Sequence, residues 1–248
     1  MLSSSDRWLV VPRRIEQPRA RLICFPHAGA GGWQFRTWTA DLPEDVELVA
    51  AHLPGHEDRI AEPPLFDMNS VVRELAPRIA PLLTVPTVFF GLSCGARIAA
   101  AVIAKLVAGG DPVPKRLVVA NCHPPHVAGP LVRSMRNLTD NELVRELKSL
   151  SGAPQAFFAQ RELVAVMLPA MKADVSVAET MVFDPTTPLP VDVVAMHGSL
   201  DRHTSAETMR RWQEIGGRSS AFLEIDGGHF FPMESRTTWL ENLIASGD

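Results

Sequence analysis

Six short runs of apolar and β-branched residues punctuate the chain: Arg21 to Phe25, Val46 to Ala51, Val85 to Phe90, Arg116 to Ala120, Val191 to Met196 and Ala221 to Ile225. They are bounded by Pro, Gly or Asn and are continuous rather than alternating, the pattern of strands covered on both faces. Between them Met68 to Leu83, Ala96 to Val107, Ala206 to Ile215 and Arg236 to Ala245 carry apolar residues at helical period. Strands that alternate with helices predict an α/β fold, with a mostly parallel central sheet and helices on both faces.

The rhythm breaks between Pro124 and Pro190, where no strand pattern occurs. Thr139-Asp140-Asn141-Glu142 opens a helix with capping residues, and Arg161 to Phe183 places Leu163, Val166, Met167, Ala170, Met171, Val175 and Ala178 at helical spacing. The stretch is read as a helical insertion folding over the sheet edge, with Pro154 and Pro169 expected to break or bend its helices. At 248 residues the chain is long for a minimal domain and short for two. A single domain over residues 1–248 is expected, with the insertion over 124–190.

Composition removes several function classes. Tyrosine is absent, so no mechanism that needs a catalytic Tyr operates here. The net charge of -4 is small, with both signs scattered, which leaves no basic stripe for nucleic acid. Three cysteines, Cys24, Cys94 and Cys122, lack CxxC spacing and read as reduced thiols rather than disulfide or zinc ligands. The segment Met1 to Arg14 has no apolar signal core, and the purest apolar run, Ile98 to Ala104, is too short to span a bilayer. A soluble cytoplasmic protein is expected, monomeric and without nucleic-acid or membrane partners.

The chemistry concentrates at strand ends. Gly91-Leu92-Ser93-Cys94-Gly95 follows an apolar strand and precedes a small-residue helix, the strand-turn-helix setting of a nucleophile elbow. Glycine at the two flanking positions removes Cβ atoms that would collide in so sharp a turn. A serine hydroxyl needs a base, and the base needs an orienting acid. His229, in Asp226-Gly227-Gly228-His229, follows the last strand; Asp201 follows the strand before it. The order Ser93, Asp201, His229 is that of α/β-hydrolases. Asp226 competes with Asp201 as the acid, but three residues from His229 it shares one turn and is poorly placed to orient the ring from behind. Asp174 and Asp184 in the insertion are read as solvated. Cys24-Phe25-Pro26-His27-Ala28-Gly29 runs from a strand into a small-residue loop, which makes the Ala28 and Cys94 amides the candidate oxyanion donors. A Cys94 nucleophile is the rival to Ser93; one residue past the apex, its side chain is expected to point away from the reaction centre. No metal and no cofactor are expected.

With these pieces in place the chain resembles the type II thioesterases, the stand-alone editing enzymes of nonribosomal peptide and polyketide synthesis. The resemblance rests on Phe25-Pro26-His27-Ala28-Gly29, Trp38 in the following helix, Leu53-Pro54-Gly55-His56-Glu57-Asp58-Arg59, the elbow, Pro125-His126, Leu168-Pro169-Ala170-Met171-Lys172-Ala173-Asp174, Asp201, and Gly227-Gly228-His229-Phe230-Phe231. It implies an α/β-hydrolase fold, a triad of Ser93, Asp201 and His229, oxyanion donors at Ala28 and Cys94, and a mobile lid over roughly Pro124 to Pro190. It implies as substrates acyl or aminoacyl thioesters on the phosphopantetheine arm of acyl or peptidyl carrier proteins. Phe157, Phe158, Met167 and Met171 are candidate walls for that arm, and Arg133, Arg136, Arg145 and Lys148 candidate contacts to an acidic carrier. Three positions depart from the family's habit: Leu92 replaces His, Cys94 replaces Met, and His52 stands where Gln is common. The alternatives are an acyl- or aminoacyltransferase or product-releasing cyclase using the same acyl-enzyme, and a non-catalytic binding protein that keeps the fold.

Overall fold

The computed structural model describes residues 7–127, 134–150, 155–234 and 239–240. Outside these lie Arg133 and Pro154 of the insertion and, apart from Trp239 and Leu240, the helix expected over Arg236 to Ala245.

Seven strands form one sheet: β1 (Leu9–Val10), β2 (Ala20–Phe25), β3 (Val46–Ala51), β4 (Thr87–Leu92), β5 (Arg116–Ala120), β6 (Asp192–Gly198) and β7 (Ser220–Ile225). Their order is β1-β3-β2-β4-β5-β6-β7, parallel except for β1 against β3. This is the expected α/β-hydrolase architecture. All six expected strands are present, and the two-residue β1 is an addition. The chain moves from β2 outward to β3 and then crosses back to β4 on the other side of β2. That places the switch in winding direction between the carboxyl ends of β2 and β4, where parallel sheets open a crevice.

The runs are continuous because each sheet face has its own cover. On one face Ile23, Phe25, Phe89 and Val119 pack under α1 (Met68–Ile79) and α2 (Cys94–Gly109). On the other, Leu22, Phe90 and Leu92 pack with Phe35, Trp38 and Trp239. Trp38 sits in a 3-10 helix, Gly32–Ala40, and its ring lies 5.1 Å from that of Phe90. Leu92, the departure before Ser93, is therefore a core residue of this second face. β7 departs from expectation: it is the outer strand, paired with β6 alone among the described strands, and Ser220, Ala221, Leu223 and Glu224 are exposed. Asp67 caps α1 by accepting from the Ser70 N–H at 2.9 Å, a bond of about 1 kcal/mol.

The insertion is helical: α3 (Asp140–Ser149), α4 (Gln155–Phe158) and α5 (Arg161–Glu179). Thr139 and Glu142 close the capping box that starts α3. Helix α5 runs through Pro169 rather than breaking there. The proline lacks only the N–H that would meet the Ala165 carbonyl, and buried contacts downstream hold the helix. Upstream, Leu163 and Val166 are 40% and 57% exposed, so the helical stripe expected there is not a core face. Downstream, Ala170, Met171 and Ala173 through Ala178 are buried. The Ser176 hydroxyl donates to the Phe66 carbonyl (2.8 Å), Arg97 donates to the Ala178 carbonyl (3.1 Å), and the Thr180 hydroxyl accepts from the Met68 N–H (3.0 Å). The second half of α5 is thereby fastened to the α/β core. After β6, the helix expected over Ala206 to Ile215 divides into α6 (Ala206–Arg210) and a 3-10 turn, Arg211–Glu214, and a short α7 (Phe231–Glu234) follows β7.

Candidate active site

β4 ends at Leu92, and Ser93 turns the chain into α2 with φ 54° and ψ −124°. Such a conformation in a non-glycine residue costs about 1–3 kcal/mol and persists only where the surroundings enforce it. They do so closely. A Cβ on Gly91 would land on the backbone of Ala96, and one on Gly95 would land on the Phe25 carbonyl. The Ser93 N–H is held by the Ala120 carbonyl at 2.9 Å. The first turn of α2 follows at once, so its unpaired amides direct partial positive charge toward the space above the serine.

His229 stands on the loop after β7. Its Nδ1 donates to Asp201 Oδ2 at 2.9 Å, and both side chains are buried. Asp201 also accepts from the Thr204 hydroxyl (2.7 Å) and the His203 N–H (3.0 Å). Burial alone would raise the Asp201 pKa, but the bond from His229, its charge, and the bonds from His203 and Thr204 hold it below the ordinary carboxylate value. The carboxylate stays ionised at neutral pH and fixes the imidazole with Nε2 outward. Among the described residues that buried Nε2 has no hydrogen-bond partner. Asp226, the competing acid, is exposed and accepts from the Ser199 hydroxyl instead.

Ala28, Ser93, Cys94 and His229 all line one cavity of about 480 Å³. Among the described residues, the Ala28 and Cys94 N–H groups are not taken up by acceptors on other elements. Phe157, Phe158, Met167 and Met171 contribute apolar wall, the two Phe rings meeting edge to face at 5.0 Å. Arg136, Arg145 and Lys148 are exposed on and beside α3. Cys94 lines the cavity and packs with Leu143, Leu147 and Met171 of the helical insertion. There burial drives its thiol pKa well up, which leaves no thiolate to compete with Ser93.

Several site residues escaped the sequence reading. Asn121, directly after β5, adopts φ 46° and is buried. Its amide donates to the Gly228 and His229 carbonyls at 3.2 and 2.9 Å, and its carbonyl oxygen accepts from the Gly198 N–H at 2.9 Å. It ties the acid and base loops together. Its position at a strand end was the available signal. Asp174, read as solvated, is 5% exposed and accepts from His56 Nε2 (2.8 Å) and the Gly29 N–H (2.7 Å). Burial works against the charged ring of His56, but the hydrogen bond to Asp174 and its charge outweigh that and raise the pKa. His27 is pushed down to about 4, first by burial and further by the charges of His229 and His56. His52 accepts the Gly32 N–H at Nδ1 (3.1 Å) and meets Asp58 through Nε2 (2.7 Å), so it braces the small-residue loop.

The family model described as "Thioesterase domain" matches residues 20–246. Gramicidin S biosynthesis protein GrsT of Aneurinibacillus migulanus is 29% identical over 241 residues, covering 97% of this chain and 93% of its own. Thioesterase PikA5 of Streptomyces venezuelae is 29% identical over 212 residues, 85% of this chain and 75% of its own. Among solved structures, the type II thioesterase BorB from the borrelidin biosynthetic cluster superposes with a TM-score of 0.85 at 30% identity, over 99% of both chains. Among the described residues, no helix is long and apolar enough to cross a membrane. With the family model spanning nearly the whole length and BorB superposing end to end, the chain belongs to the thioesterase family and is a type II member of it.

Proposed function

We propose that the enzyme releases acyl or aminoacyl groups from the phosphopantetheine arm of carrier proteins in secondary-metabolite assembly, with Ser93 as nucleophile, His229 as base and Asp201 as orienting acid. The observation that carries this reading is the buried His229–Asp201 pair, whose outward Nε2 lies at the same cavity as a serine in a strained elbow. His229 takes the Ser93 hydroxyl proton as Oγ attacks the thioester carbonyl carbon. The oxyanion forms between the Ala28 and Cys94 N–H groups; with no tyrosine in the chain, that task falls to backbone amides and the α2 terminus. Collapse breaks the C–S bond, and the protonated imidazole gives its proton to the departing pantetheine thiolate. Water, deprotonated by His229, then attacks the acyl-Ser93 ester, and collapse returns the proton to Oγ with release of the acid.

The partner follows from the same reading. GrsT, PikA5 and BorB carry names or titles that place them in gramicidin S biosynthesis, the thioesterases and the borrelidin cluster, and the largely apolar cavity of about 480 Å³ suits a flexible arm bearing a short acyl group. The test is turnover of an acyl-loaded carrier by Ser93→Ala. We expect rates at least about 10³-fold lower with the fold retained, and stoichiometric fluorophosphonate labelling at Ser93 of the wild type. Undiminished turnover by Ser93→Ala overturns the mechanism. Free acid as the dominant product, measured with an amine or a second carrier present, separates hydrolysis from acyl transfer.

A further inference from the structure

The loop that supplies Ala28 is made of small residues, with Gly29 at φ +82°, so its own side chains do little to fix it. Neighbours fix it instead. The His27 carbonyl accepts from the Ala30 N–H at 3.1 Å, and in a trans peptide this turns the Ala28 N–H to the opposite side. The next peptide is held at both ends. Its carbonyl, that of Ala28, lies 3.0 Å from His27 Nδ1, and its N–H, that of Gly29, donates to Asp174 Oδ2 at 2.7 Å. His27, with its pKa near 4, is a neutral ring that donates from Nδ1. The carboxylate comes from α5, 145 residues away in sequence, and is itself oriented. His56 Nε2 lies 2.8 Å from the same oxygen, and His56 Nδ1 lies 3.1 Å from the Pro54 carbonyl. Both ring nitrogens face acceptors, an arrangement that the imidazolium satisfies with two donors.

We propose that Asp174 is a positioning residue for the oxyanion loop: through the Gly29 N–H it holds the Ala28 amide at the angle the transition state requires, with His56 orienting its carboxylate. The proposal rests on the reading of Ala28 as an oxyanion donor. Geometry makes the coupling local. Met171, one turn before Asp174 on α5, packs so closely on Gly29 that a Cβ there would meet its Cγ at 2.7 Å. The oxyanion hole is therefore completed by the anchored half of the insertion, and not by the strand and elbow alone.

The test compares five variants with an acyl N-acetylcysteamine thioester as substrate. Deleting one oxyanion donor costs about 10²–10³ in kcat, and a displaced donor should cost less, so we expect Asp174→Ala to lower kcat about 10- to 100-fold with KM within about threefold. Asp174→Asn keeps an oxygen for the Gly29 N–H and is expected to recover kcat to within about fivefold of wild type. Ser176→Ala removes another anchor of the same helix without touching the loop. It is expected to lower Tm while leaving kcat within about twofold, since neutral side-chain hydrogen bonds are worth about 1 kcal/mol. If Asp174→Ala does not fold, Asp174→Ser, too short to reach Gly29, carries the same expectation. A wild-type kcat in Asp174→Ala or Asp174→Ser, a loss no greater than that of Ser176→Ala, or a loss confined to KM overturns the proposal. Ser93→Ala, measured alongside, keeps the two readings apart: if it retains turnover the serine mechanism fails, and if it is inactive while Asp174→Ala is unimpaired only the positioning role fails.

Discussion

The proposed triad joins one strained residue, Ser93, with two buried ones, Asp201 and His229. The strain at Ser93 lifts its hydroxyl clear of the sheet; burial of Asp201 makes its charge count, because the low dielectric around the pair strengthens the bond to His229. Asp201→Asn keeps the shape but lets the imidazole take the wrong tautomer. Loss of the triad acid costs on the order of 10⁴ in kcat, and we expect that size of loss in steady-state hydrolysis, with near-native circular dichroism. The lowered Asp201 pKa has a signed consequence for stability too. Its contribution is complete above the unfolded carboxylate range and is lost as pH falls through the folded value. That Ser93, Asp201 and His229 come together was legible in the sequence, because each lies just past an apolar run and because their chain order is constrained. Asp174 and Asn121 were not. A carboxylate on a helix is usually solvated, and only tertiary folding brings Asp174 to His56, 118 residues away. Asn121 acts through backbone groups of two loops that no local pattern connects.

Helix α5 has two halves with different duties. Upstream of Pro169 it presents Leu163 and Val166 to solvent; downstream it is fastened through Asp174, Ser176, the Ala178 carbonyl and Thr180. The sequence revealed the helix but not this division, since apolar spacing looks the same whether a stripe meets the core or water. It also overstated the effect of Pro169, because the anchors downstream outweigh one missing hydrogen bond. The His56–Asp174 pair makes one of those anchors pH-dependent. His56 has a raised pKa in the fold, so its contribution is fully present below its unfolded pKa and is lost as pH rises through the folded value. The other titratable group facing it is His27, whose pKa near 4 leaves it neutral across that window. The stability difference between wild type and His56→Gln, followed by thermal unfolding from about pH 6 to 9, is expected to shrink as pH rises. A difference that stays constant would show that the pair acts without charge.

The whole molecule places the residues of the proposed site at the carboxyl ends of five strands: Ala28 after β2, Ser93 after β4, Asn121 after β5, Asp201 after β6 and His229 after β7. The alternation of strands and helices foretold the parallel sheet that makes this possible, whereas two features lay below the reach of pattern. β1 is two residues long, too short to show any period, and β7 is apolar enough to read as covered while standing at the sheet edge. Spreading one site over five strand ends binds it to cooperative folding. No hairpin or helix pair contains a working subset, so no partly formed state of the chain should carry a competent serine. In a urea titration, loss of fluorophosphonate labelling at Ser93 is expected to coincide with the fluorescence change of buried Trp38 and Trp212. Labelling at Ser93 would then be an internal gauge of the folded fraction, able to report the population of native molecules in a crude extract where no optical signal distinguishes them.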